Sequence, residues 1–64
     1  MTAVANEIWS RADQLVKQYG ETAPEAAAHE ADRLHQAGEM AAEETWLRVV
    51  TASKAVLARD LASS

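Results

Sequence analysis

The stretch EMAAEETWLRVVTASKAVLARDL, Glu39 to Leu61, decides the fold. At 100° per residue, Ala42, Trp46, Val49, Val50, Ser53, Leu57 and Leu61 fall within about 60° of Trp46, with Val56 about 80° away. That width is the apolar stripe of a core-facing helix, and there is no period-two alternation to suggest a strand. Glu39, Glu43 and Glu44 crowd the first turns, while Lys54 and Arg59 lie toward the end. This order suits the helix macrodipole. Met40 and Leu47 form a second apolar edge, about 100–120° from Trp46. One stripe for the core and one edge to spare leave two readings, a surface for a partner or the rim of the same core.

Working back from this helix, Gly38 ends the preceding one. Thr22-Ala23-Pro24-Glu25 reads as a capping box, with Pro24 tolerated in the first turn. The helix it opens runs to about Ala37 and turns Ala23, Ala27, Ala31 and Leu34 inward. Small side chains let backbones approach closely but bury little area, so this helix depends on its neighbours. The first helix has Thr2 as N-cap and a face of Val4, Ile8, Ala12, Leu15 and Tyr19, with Ala5 and Val16 at its edge. Trp9 falls at the margin of that face. Gly20 stands where a C′ residue of positive φ is wanted. Glu7–Arg11 and Asp13–Lys17 are i,i+4 supports.

The expected fold is therefore all-α: one domain over residues 1–64, a small three-helix bundle with helices at about 2–19, 23–37 and 39–61. The C-terminal helix is the longest. Its core is Ile8, Leu15, Tyr19, Leu34, Trp46, Val49, Val50 and Leu57. A chain of 64 residues makes a marginal domain, and a second copy would help it.

Composition narrows function. The chain has no cysteine, which rules out disulfides and thiolate metal sites. A small secreted domain usually has disulfides, so a cytoplasmic protein is expected. The start, Met-Thr-Ala-Val-Ala-Asn-Glu, has no basic region and no long apolar run, so no signal peptide is read there. No segment reaches the roughly 20 apolar residues needed to span a bilayer. With 10 acids against 6 bases the net charge is −4, which opposes nucleic acid and anionic membranes as partners. A helix-turn-helix DNA reader would share the layout, but Glu39, Glu43 and Glu44 at the start of its recognition helix would repel phosphates.

Several short pieces, taken in order, carry a resemblance. They are Glu7-Ile8-Trp9, Tyr19-Gly20, Ala31-Asp32-x-Leu34, Ala37-Gly38-Glu39, and Trp46-x-Arg48-Val49 with Ala52. Together they resemble a family of short all-helical proteins of alphaproteobacteria, a domain of unknown function, over nearly the whole chain. The sequence departs from that pattern with Glu39 in place of the usual Asp and Ala42 where Gly is frequent. The resemblance implies a bacterial cytoplasmic setting and a helical fold, and supplies no activity.

Chemistry-bearing groups are sparse. His29, Asp32 and His35 recur every three residues with Glu25 one turn before, but they spread over about 120° of the helix. With no second cluster to complete a ligand set, no metal and no cofactor are expected. Ser10, Ser53, Ser63 and Ser64 have no base partner, and two glycines cannot build a phosphate loop. Ser53 is expected to bond a carbonyl one turn back. A domain this small has no room for an enclosed pocket. An enzyme is not expected.

Two interaction surfaces stand out. Trp9, Met40 and Leu47 are the candidate interface of a homodimer, tryptophan being enriched at binding hot spots. Between Glu21 and Glu44 the chain carries the acids Glu21, Glu25, Glu30, Asp32, Glu39, Glu43 and Glu44 against the single base Arg33. That run is the candidate surface of the alternative, a small acidic regulator or inhibitor docking on a basic protein.

Overall fold

The computed structural model describes residues 3–63, with side chains described over residues 6–62. The Thr2 cap therefore lies outside the described residues, as do the side chains of Val4, Ala5 and Ser63 and the whole of Ser64. Four segments follow in order: helix α1 (Ala3–Tyr19), a 3-10 turn (Gly20–Thr22), helix α2 (Ala23–Gln36) and helix α3 (Met40–Ser63). Strands are absent among the described residues, and the protein is all-α. The C-terminal helix is the longest.

The layout corrects the expectation of three separate helices. The chain makes two unbroken helical runs, parted only at residues 37–39. The first run bends at Gly20, whose φ of +62° suits a residue without a Cβ. Ala23 N–H then donates to Gly20 O, so the helical track passes through the bend with no open loop.

Thr22 does not close the expected capping box. Its φ of −89° and ψ of 3° lie outside the extended region that an N-cap uses. The hydroxyl instead reaches back and donates to Tyr19 O at 2.8 Å. Pro24 sits in the first turn of α2.

The second break is a Schellman turn. Gly38, at φ +78°, donates its N–H to His35 O at 3.1 Å, and Glu39 N–H reaches Leu34 O at 2.9 Å. Glu39 O then accepts from Glu43 N–H at 2.9 Å, which starts α3. Helix α3 continues to Ser63, two residues past the expected end at 61.

The core is made of small side chains. Ala12 of α1, Ala23 and Ala27 of α2, and Val49 and Ser53 of α3 are completely buried, with Ile8, Ala31, Ala52 and Val56 nearly so. Leu15, Val16, Trp46 and Val50 pack against this cluster and are only half-buried, as are Leu34 and Leu57. The buried stripe of α3 is thus centred on Val49, Ala52, Ser53 and Val56, about 70° round the helix from Trp46. Close approach to the alanines of α2 explains the rotation. Valine, serine and alanine fit such a seam, and an indole does not.

Three sequence expectations fail here. Tyr19 is not core but 50% exposed, because the chain reverses right after it and only the outer side of early α2 faces it. Leu61, in the last turn of α3, is 77% exposed. The Ser53 hydroxyl, though buried, has no hydrogen-bond partner, where a bond to the preceding turn was expected.

The molecule measures 40 × 28 × 15 Å. Helix α3 sets the long axis, since its 24 residues span about 36 Å at 1.5 Å each. The short axis limits the depth of any core.

Candidate interaction surface

Helices α1 and α3 leave an open groove between them of about 620 Å3. Trp9 stands on its α1 side, and Leu47, Thr51 and Ala55 line its α3 side. The positions follow from the helix wheel. Trp9 is next to buried Ile8 and so is turned about 100° from it, to the rim. Leu47 is turned the same way from Trp46. An enclosed pocket was not expected in so small a chain, and this volume is a trough open to solvent.

The groove continues along α3. A second hollow, of about 290 Å3, is lined by Met40, Ala41, Glu43, Glu44 and Leu47. Leu47 and Glu44 belong to both hollows. Trp9, Met40 and Leu47 are thus brought onto one continuous surface, with exposures of 46%, 77% and 51%. A third hollow lies toward α2, where Ala31, Asp32 and His35 meet Glu43 and again Leu47.

The surface is apolar in the middle and charged at the rim. Arg48 donates to Glu44 at 3.1 Å, both groups exposed. His35 Nδ1 lies 3.1 Å from Glu43 Oε1, which ties the end of α2 to the start of α3 across the Gly38 turn. The rim therefore holds an acid and a base on one helix.

Trp46 serves a different place. Its ring lies under the Arg11 guanidinium, 5.7 Å from the centroid. Arg11 is also 3.8 Å from Glu7. Tryptophan is the best partner for such a cation, so the contact caps the flank of the core opposite Trp9.

The seven acids do not form one face. Glu30 is gripped by both nitrogens of the Arg33 fork, one contact being Nε to Oε1 at 3.2 Å. These hydrogen bonds, aided by the charge on Arg33, hold the Glu30 carboxyl below the usual carboxylate range, although partial desolvation opposes them. The same pairing raises Arg33. Glu44 has Arg48 and Glu43 has His35. Asp32 accepts from Gln36 at 3.0 Å. Glu21 is in the 3-10 turn, Glu25 opens α2 and Glu39 sits between α2 and α3; all are exposed.

The two histidines of α2 do not converge: only His35 shares a hollow with Asp32. His29 lies on the outer side near Tyr19 and Glu25, whereas His35 is turned to α3. Among the described residues no group of three or more His, Cys, Asp or Glu side chains is placed to hold a metal ion. Among them too, no helix is long and apolar enough to cross a membrane.

Sequence reading missed Thr51 and Ala55, which line the groove, because neither is large or charged. It also put Leu61 on the core stripe. The signal that would have corrected this is the recurrence of Met40, Leu47, Lys54 and Leu61 every seven residues. Comparison with models of known protein families, with curated proteins and with solved structures finds no match to this chain.

Proposed function

We propose that the protein is a non-enzymatic interaction module that pairs with a second copy of itself through Trp9, Met40 and Leu47. One observation carries this reading. Three large apolar side chains from two helices share a continuous exposed surface, while no side chain larger than valine is fully buried among the described residues. A domain with so thin a core gains from covering that surface. The occupant is a second copy because Glu44 and Arg48 give the rim both signs of charge, which makes it complementary to itself. Two copies joined across α3 make a larger helical bundle.

The setting that goes with this reading is the cytoplasm of a bacterium. The absence of cysteine supports the compartment, and the resemblance to short alphaproteobacterial proteins supports the source. An acidic docking surface has less support, since the seven acids do not share one face and Glu30 and Glu43 are already matched within the chain.

Light scattering on the wild type and on Leu47→Glu, each at low and high salt, separates the two. Self-pairing through an apolar surface persists at high salt and is lost in Leu47→Glu. A monomer under all conditions would remove the reading. Capture of a basic protein that fades steeply with salt would support the acidic surface instead.

A further inference from the structure

Helix α3 carries a second stripe that the core does not use. Met40, Glu44, Leu47, Thr51, Lys54, Ala58 and Leu61 are spaced alternately by four and three residues, and every one of them is exposed. Met40, Leu47 and Leu61 recur at one heptad position, as apolar residues do on a helix that pairs with another, while Lys54 interrupts that row and Glu44, Thr51 and Ala58 make the second. On the wheel the exposed stripe is centred about 180° from the buried stripe. The stripe runs along the groove that Trp9 walls on the α1 side.

Its charges are placed with a symmetry that selects an orientation. Glu44 and Lys54 are the same number of residues from Val49 on either side, and so are Leu47 and Thr51, and Met40 and Ala58. We infer that two copies pair through α3 in antiparallel fashion, with the two-fold axis at the level of Val49 and Leu47 of each copy seated in the groove of the other. This rests on the self-pairing reading above and adds its orientation, its register and the role of Lys54.

In that register Glu44 of one copy, bonded by Arg48 of its own helix through one carboxylate oxygen, also meets Lys54 of the second. Met40 meets Ala58, and Leu47 meets Thr51, so a large side chain always faces a small one. Leu47 then lies over Thr51 and Ala55 with the indole of Trp9 beside it. A parallel pair would set Glu44 on Glu44 and Lys54 on Lys54, with like charges opposed and the helix dipoles aligned. Sliding the antiparallel pair by one heptad would set Glu44 on Leu47 or on Leu61. Of these registers only the antiparallel one centred on Val49 sets Glu44 on Lys54 and both Met40 and Leu47 on smaller side chains. The lysine within an otherwise largely apolar row acts as the register key.

The absence of cysteine makes the test clean. Met40→Cys and Ala58→Cys are prepared as separate full-length proteins at exposed positions and treated with a mild oxidant. The antiparallel register predicts a disulfide-linked pair when the two are mixed and little from either alone. Cross-linking of each variant with itself would show a parallel pair and overturn the orientation. A chain that sediments as a dimer yet cross-links in neither case would overturn the register and spare self-pairing. A chain that stays monomeric would overturn both. As a second arm, Lys54→Glu should weaken pairing at least tenfold, and adding Glu44→Lys should restore it; failure of that rescue would contradict the Glu44–Lys54 pairing.

Discussion

Trp9 of α1 and Leu47 of α3 stand on opposite sides of one groove, each about half exposed. Neither is needed to fill the core, which closes over Val49 and Val56 without them. Side chains this large would stay half in water only at a cost if nothing else covered them. Their joint placement is the physical basis for reading the groove as a contact surface.

Trp9→Ala should therefore weaken self-pairing by about thirtyfold or more, the scale of a tryptophan hot spot, with the helical signal unchanged. Tyr19→Ala removes an equally exposed ring away from the groove and should leave pairing as it was. The dissociation constants of the two variants, measured by sedimentation equilibrium, provide the comparison.

Ser53→Ala should stabilise the protein by about 1–2 kcal/mol. Its hydroxyl is fully buried and makes no hydrogen bond, so its desolvation is not offset. Alanine is also the better helix former. Urea unfolding at one fixed protein concentration would measure this. A loss of stability would mean that the hydroxyl has a partner in solution.

Gly38→Ala should cost about 1–2 kcal/mol, the penalty of a Cβ in the left-handed region. The added methyl would have nothing within 4 Å, so backbone strain alone sets the effect. Gly38→Asn should cost less, because asparagine tolerates this conformation better. Thermal unfolding of the two variants tests the order.

Glu30 gives a pH signature. Arg33 depresses its carboxyl, so the pair stabilises the fold above the ordinary carboxylate range and loses that contribution as the pH falls through the depressed value. Arg33→Gln should return the Glu30 titration to the ordinary range. The two proteins should differ in stability at neutral pH and converge in acid. Carboxyl titration by NMR checks the first point, and unfolding against pH the second.

Much of the backbone was legible in the letters. Gly20 and Gly38 mark both changes of direction, since each position demands a positive φ. The centre of the α3 stripe was not legible, because a wheel weighted by side-chain size favours Trp46. Burial here follows fit to the alanines of α2, and fit selects Ala52, which such a wheel discounts, beside Ser53, which the wheel had already placed on the stripe. The capping box at Thr22 misled for a related reason. A box needs an extended N-cap, and the continuous track from α1 into α2 denies Thr22 that conformation. The candidate surface was partly legible. Met40 and Leu47 stood out by size, whereas Thr51 and Ala55, whose smallness makes the hollow, gave no sign until α1 was placed beside them.

Sedimentation equilibrium of the unaltered chain over a wide range of concentrations, in high salt, tests self-pairing most directly. The account predicts that the apparent mass rises from 6.9 kDa toward twice that value as concentration increases, with only the modest weakening by salt that exposed ion pairs give. A mass that stays at one chain throughout would contradict it.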